Sequence, residues 1–158
     1  MPRVAEIYIA RDKAMPMEYQ AMVRAIEGVG LEGENFRDRY ATGQGAFSNT
    51  KEDKIRHVTL ISQEDIDVAN SGLEEPFLPY ETRRNIVIEG IPSERLLGVR
   101  FEIGHVLLEG VSICDPCVRP EKLAGKSGFK SGFAGSLGGI RAAILSTGLI
   151  FPKDRIFY

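Results

Sequence analysis

The sequence has no tryptophan, two cysteines (Cys114 and Cys117) and two histidines (His57 and His105), and each shortage narrows what the chain can do. A closed tetrahedral zinc site takes about four ligands, and the histidines are not in an H-x-x-x-H type of arrangement. A complete zinc site within one chain is therefore not expected, although two copies could pool their cysteines. No disulfide framework is available either, and a domain of this length does not need one to bury a core. Long hydrophobic runs are missing: Arg3, Glu6 and Arg11 interrupt the apolar amino-terminal stretch. Neither a secretory h-region nor a span of about 20 apolar residues is present, so the expectation is a soluble, cytoplasmic protein with no membrane partner. In a reducing cytosol a close cysteine pair is more often catalytic or metal-binding than a structural disulfide. An excess of one charge is also absent, with Lys+Arg 20 against Asp+Glu 22 and a formal net charge of -2. That balance gives no global attraction to nucleic acid or acidic lipid, and any anion site must be local. The glycine fingerprints of dinucleotide and P-loop sites are missing as well.

What is present reads as one domain over residues 1–158, with 43% hydrophobic and 27% charged residues. The 17 glycines and 8 prolines point to short strands joined by turns. Val4 to Ala10 alternates apolar and polar residues with a period of two, as a half-buried strand does. Met15 to Ile26 places Met22, Val23 and Ile26 at helical spacing, which suggests a short helix or irregular turn limited by Pro16. Ala41 to Asp53, rich in glycine, serine and charge, reads as a surface loop. Ile55 to Ile61 alternates again, and Ser62-Gln-Glu-Asp65 has the form of a capping box opening a brief helix through Ala69. Further strands are expected at Asn85–Glu89, Gly98–Ile103, Val106–Ile113, Ile140–Ser146 and Leu149–Ile156. There is no internal repeat or low-complexity linker. The fold class is mainly β, a closed or nearly closed antiparallel barrel with a few short helices, which leaves few exposed sheet edges.

The chemistry concentrates in three places. Cys114-Asp-Pro-Cys117 has the spelling of a redox loop, but it follows a strand hairpin, Arg119 and Pro120 come straight after it, and no βαβ pattern surrounds it. Spacing alone leaves two readings open, a reactive thiol or two small buried side chains. Glu81-Thr-Arg-Arg-Asn85 offers two guanidinium groups, a hydroxyl and an amide for a phosphate or carboxylate. Adjacent residues on a strand point to opposite faces, so at most one of Arg83 and Arg84 faces a given pocket. Gly132-Phe-Ala-Gly-Ser-Leu-Gly-Gly139 supplies flexible backbone amides, more often for turn geometry than for anion binding. The lone histidines read as structural.

In order along the chain, Pro16-Met17-Glu18, Gly30-Leu-Glu-Gly-Glu34, Gly43-Gln-Gly45 with Phe47-Ser48, Val58-Thr-Leu-Ile61, Glu81-Thr-Arg-Arg-Asn85 and Leu108-Glu-Gly-Val-Ser-Ile-Cys-Asp-Pro-Cys117 resemble the MOSC domain, named for the carboxy-terminal part of molybdenum cofactor sulfurase. Gly138-Gly-Ile-Arg-Ala142 and Pro152-Lys-Asp154 complete a set covering nearly the whole chain. The resemblance implies a stand-alone MOSC-type β-barrel, association with the molybdenum cofactor (molybdopterin), and a cysteine that ligates molybdenum or carries sulfur. Cys117 matches that cysteine, as metal ligand and catalytic residue, and Cys114 is its expected neighbour. Thr82, Arg83, Arg84 and Asn85 match the polar segment expected at the pterin phosphate or amides. Glu34 and Arg37 fall where many relatives read Gly-Asp-Arg-His or Gly-Asp-Arg-Tyr, while this chain reads Gly33-Glu-Asn-Phe36. The implied activity is reduction of a small N-hydroxylated substrate, with electrons from a separate flavin or iron-sulfur partner. A sulfur carrier and a non-catalytic binding module are the alternatives, and a dithiol oxidoreductase would require both cysteines.

Overall fold

A computed structural model describes residues 1–12, 14–34 and 57–158. The expected loop at 41–53, the beginning of the strand expected from Ile55, and Arg37 lie outside the described residues. The described elements are β1 (Arg3–Ile9), β2 (Glu18–Tyr19), β3 (Val23–Ile26), β4 (Gly30–Leu31), β5 (Val58–Ser62), α1 (Gln63–Asn70), β6 (Ile86–Glu89), β7 (Arg100–Ile103), β8 (Val106–Ile113), α2 (Arg119–Ala124), α3 (Phe129–Gly132), β9 (Ile140–Ile144), β10 (Gly148–Ile150) and β11 (Ile156–Phe157). A 3-10 turn, Pro79–Thr82, precedes β6. No helix among the described residues is long and apolar enough to cross a membrane.

Eight strands form one curled sheet in the order β11-β7-β8-β9-β5-β6-β1-β2, a half-barrel, and β10-β3-β4 form a second sheet of three. Backbone bonds from Val4 N to Asp154 O (2.9 Å), Lys153 N to Val4 O (2.8 Å) and Ile156 N to Pro2 O (2.9 Å) join the β11 end of the large sheet to β1. Pairing is antiparallel except for β5 and β6, where Leu60 faces Ile86 in parallel. The expected all-antiparallel arrangement therefore has one exception, because α1 returns the chain in a crossover rather than a hairpin. Inside the curl, Val4, Ile7, Leu60, Ile86, Ile88, Phe101, Leu108, Ile140 and Ile144 form the main core. On its outer side Ile61, Ile66, Phe77, Val87, Phe129 and Phe133 form a second cluster under the helices. Phe129 stacks on Phe133 at 4.5 Å, and Phe77 meets Phe129 edge-on at 5.3 Å.

Three further expectations are corrected. Met15–Ile26 is not helical: Val23 and Ala25 are buried alternately with exposed Arg24, and β3 pairs with both β4 and β10. A partner strand from the far end of the sequence outweighs the weak helical spacing. Leu149–Ile156 is two strands, since Pro152 and left-handed Lys153 (φ 75°) turn the chain between β10 and β11. The capping box is half made: Ser62 Oγ accepts from Asp65 N at 3.0 Å. The Asp65 carboxylate instead accepts from Ser93 N (3.2 Å) and Ser93 Oγ (2.8 Å), tying α1 to the segment before β7.

Candidate functional site

The segment that leads into β6 forms one wall of a cleft of about 330 Å³. Tyr80, Glu81 and Arg83 line it from the 3-10 turn, Ala14, Pro16 and Met17 from the β1–β2 connection, and Leu123 and Ala124 from α2. The turn is fixed by Glu81, whose carboxylate accepts from Leu78 N at 2.8 Å and from Lys126 Nζ at 2.7 Å. Lys126 also donates to Pro76 O at 2.9 Å and lies 5.8 Å from the Phe77 ring centre. With side chains 22% and 9% exposed, this ion pair is shielded enough to join the two walls.

Arg83 closes the turn in the left-handed region, φ 63°. A non-glycine residue there costs on the order of 1 kcal/mol, and the bend sends Arg83 and Arg84 in different directions. Arg83 lines the cleft and donates to Met15 O at 2.8 Å. Burial holds its guanidinium below the ordinary arginine value; Arg119 pushes the same way, whereas Glu34 and Cys117 oppose it. Arg83, Arg119 and Cys117 thus share one electrostatic neighbourhood. Arg119 opens α2 four residues before cleft-lining Leu123, which places both on one helix face.

Cys117 is exposed and Cys114 buried, and both are free thiols. The hairpin of β7 and β8 delivers the loop that carries them, as expected. The helix that follows directly was not expected: Arg119–Ala124 is α2, with Pro120 in its first turn. Proline at that position was the available signal, because it lacks only an amide that a helix start leaves unpaired. Arg119 is a candidate that the sequence alone did not single out, and locating α2 would have pointed to it.

The remaining predicted site residues face inward. Thr82 is fully buried, with its hydroxyl donating to Pro79 O at 2.7 Å. Asn85, 3% exposed, donates from Nδ2 to Tyr8 O (3.1 Å) and Glu34 Oε2 (2.9 Å), and its Oδ1 accepts from Thr59 N (3.1 Å) and Thr59 Oγ1 (3.2 Å). Glu34, 4% exposed, accepts from Ala10 N at 2.9 Å as well. Asn85 and Glu34 therefore lock β1, β5 and β6 together and are not among the residues that line the cleft. Arg84, 6% exposed, donates to Gly138 O at 2.7 Å and Cys114 O at 3.3 Å. His57 accepts from Ile144 N at its Nδ1 (2.9 Å), and burial lowers its pKa from 6.5 to about 4. It is a neutral structural acceptor between β5 and β9. Among the described residues no group of three or more His, Cys, Asp or Glu converges to hold a metal ion.

The half-barrel has counterparts among known proteins. The family model described as MOSC domain matches residues 46–156, the larger part of the chain. The chain belongs to the MOSC domain family. In fold this MOSC domain is similar to the YUAD protein from Bacillus subtilis, with a TM-score of 0.76 at 19% identity over 99% of this chain and 94% of that one. It is also similar to YiiM from Geobacillus stearothermophilus (TM-score 0.69, 13% identity, 99% of this chain and 74% of that one). YiiM from Escherichia coli gives a TM-score of 0.62 at 14% identity, covering 98% of this chain and 68% of that one. No curated protein matches the sequence.

Proposed function

We propose that this MOSC domain binds the molybdenum cofactor at the cleft, with Cys117 as the metal ligand and with Arg83 and Arg119 meeting the cofactor phosphate. The observation that carries this reading is an exposed thiol, Cys117, on the loop that runs into α2, whose Leu123 and Ala124 line the cleft together with Arg83, while Cys117 and Arg119 are not themselves among the lining residues. The donor set fits the group: a thiolate is a soft ligand suited to a soft metal centre, and guanidinium is suited to the paired oxygens of a phosphate. Of the predicted polar segment, Arg83 is retained for direct contact. Thr82, Arg84, Asn85 and Glu34 do not line the cleft. When bound, the cofactor supplies two-electron chemistry, by which oxygen is removed from an N-hydroxylated compound.

The chain's own part is to hold and orient. Tyr80, 41% exposed, and Leu123 both line the cleft and offer apolar surface to a planar substrate. Electrons come from a separate flavin or iron-sulfur partner. Cys117 is equally placed to carry sulfur as a persulfide, because its exposure admits a donor and an acceptor. The test is metal analysis of the chain expressed in a host that makes the cofactor, beside Cys117→Ser. Molybdenum should co-purify with the wild type and be lost from the variant; equal retention by both sinks the ligand assignment. Sulfur released by cyanide from wild type only, with no molybdenum, selects the carrier. Reduction of an N-hydroxylated base by loaded protein and reduced viologen separates a reductase from a binding module.

A further inference from the structure

Arg84 carries a charge into the protein with an unusual set of partners. Its guanidinium donates from Nε to Gly138 O (2.7 Å), from Nη2 to Cys114 O (3.3 Å) and from Nη1 to Thr82 O (3.4 Å). It lies 5.7 Å from the centre of the Phe129 ring. Among the described residues no carboxylate pairs with it. A buried cation without a counter-ion is costly unless its donors are satisfied, and here carbonyls and a ring face satisfy them. The three carbonyls belong to three separate segments: the end of the 3-10 turn, the start of the cysteine loop, and the glycine pair before β9.

Those segments converge with no spare room. A Cβ on Gly138 would lie 2.8 Å from Cys114 O, 2.9 Å from Phe133 O and 3.3 Å from Pro116 Cδ. Cys114 N in turn donates to Gly139 O at 2.9 Å. The cysteine loop is thus pinned at Cys114 through both its amide and its carbonyl. Its other end enters α2, which Glu121 ties to α3 through Gly128 N and Lys130 N, both at 3.1 Å. Between these anchors Pro116 restricts the backbone, and Cys117 is the thiol left facing out.

We infer that Arg84 is the positioning residue for Cys117: by holding the carbonyls of Cys114 and Gly138 on one guanidinium, it keeps one thiol of the pair buried and presents the other. The inference rests on the reading of Cys117 as the working thiolate, and its test is made without cofactor. Native protein is treated with iodoacetamide and the two cysteines are followed separately by peptide mass spectrometry. In wild type Cys117 reacts while Cys114 is protected. In Arg84→Met, Cys114 should be alkylated at least about tenfold faster, the factor that corresponds to losing one hydrogen bond to a charged group from the closed state. Hydrogen exchange at the Ile144 amide, held by His57 far from the loop in sequence, should stay as in wild type. Methylguanidinium added to Arg84→Ala should restore the protection of Cys114, which a general loss of packing would not allow. Should Arg84→Met fail to fold, the alkylation and exchange readings are taken on Arg84→Lys, which keeps the charge but not the planar fork.

Continued protection of Cys114 in a folded variant overturns the inference. So does exposure of Cys114 together with the Ile144 amide, or failure of methylguanidinium to rescue. A chain that passes this test and yet retains no molybdenum overturns the proposed cofactor, with the brace still standing. A chain that binds molybdenum through Cys117 but keeps Cys114 protected without Arg84 does the reverse.

Discussion

Acidification should destabilise this protein through His57 in a defined window. The ring lies 6% exposed between β5 and β9, and its Nδ1 accepts from Ile144 N, an arrangement that requires the neutral imidazole. Burial lowers its pKa in the folded chain from 6.5 to about 4. Because the folded value is the lower one, the unfolded chain takes up the proton first as pH falls. The stabilising contribution is complete above pH about 6.5, declines between about 6.5 and 4, and is gone below the folded value. At about 1.4 kcal/mol per pH unit, the gap between 6.5 and about 4 amounts to about 3 kcal/mol. The comparison variant is His57→Asn, whose Oδ1 can accept from the Ile144 amide but does not titrate. Urea denaturation of both chains at pH 7, 6, 5 and 4 isolates the histidine, since carboxylates common to both cancel. Wild type should lose about 3 kcal/mol more than the variant across that range. Parallel curves would show that the ring is protonated in the folded state and that the bond from the Ile144 amide is not what holds it.

Two further outcomes follow from the backbone. Arg83→Gly and Arg83→Ala both remove the side chain from the cleft and should lower molybdenum retention alike, but the glycine variant should be about 1 kcal/mol more stable by thermal denaturation, because only glycine tolerates φ 63° without cost. Gly139→Ala should cost more than about 3 kcal/mol by urea denaturation, since the added Cβ would lie 2.2 Å from Leu60 O at φ 90°; a loss below 1 kcal/mol would show that the β5–β9 approach can open freely.

How much of this was legible depends on how local the cause is. The β7–β8 hairpin was readable because alternation and a tight turn are both encoded within a few residues, and Phe101 and Leu108 meet across it as the pattern implies. Ser62 was readable as a helix cap for the same reason. Asp65 was not, because its partner Ser93 lies 28 residues away and carries no signature that ties it to a helix start. The strand nature of Val23–Ile26 depended on β10, more than a hundred residues later. At the site, the resemblance pointed to Cys117 and to the segment before β6, but not to the division of labour inside that segment. Which of two adjacent arginines lines the cleft was decided by a left-handed turn at Arg83, and no residue preference announces arginine there.

The bonds that join Pro2–Val4 to Lys153–Ile156 set the order in which the molecule is built. Contacts between residues so far apart must wait for the entropy of a very long loop to be overcome, whereas β7 and β8 can pair within a few residues of each other. The hairpin that leads into the cysteine loop should therefore be an early product of folding, and the seam along β1 a late one. Arg84 reaches Gly138 across 54 residues, so its grip on the loop also belongs to the later stage. During the interval both thiols are open to solvent, and an oxidant met at that moment would trap the pair before it became asymmetric. Refolding yield should therefore depend on the thiol reductant present, even though the finished fold contains no disulfide.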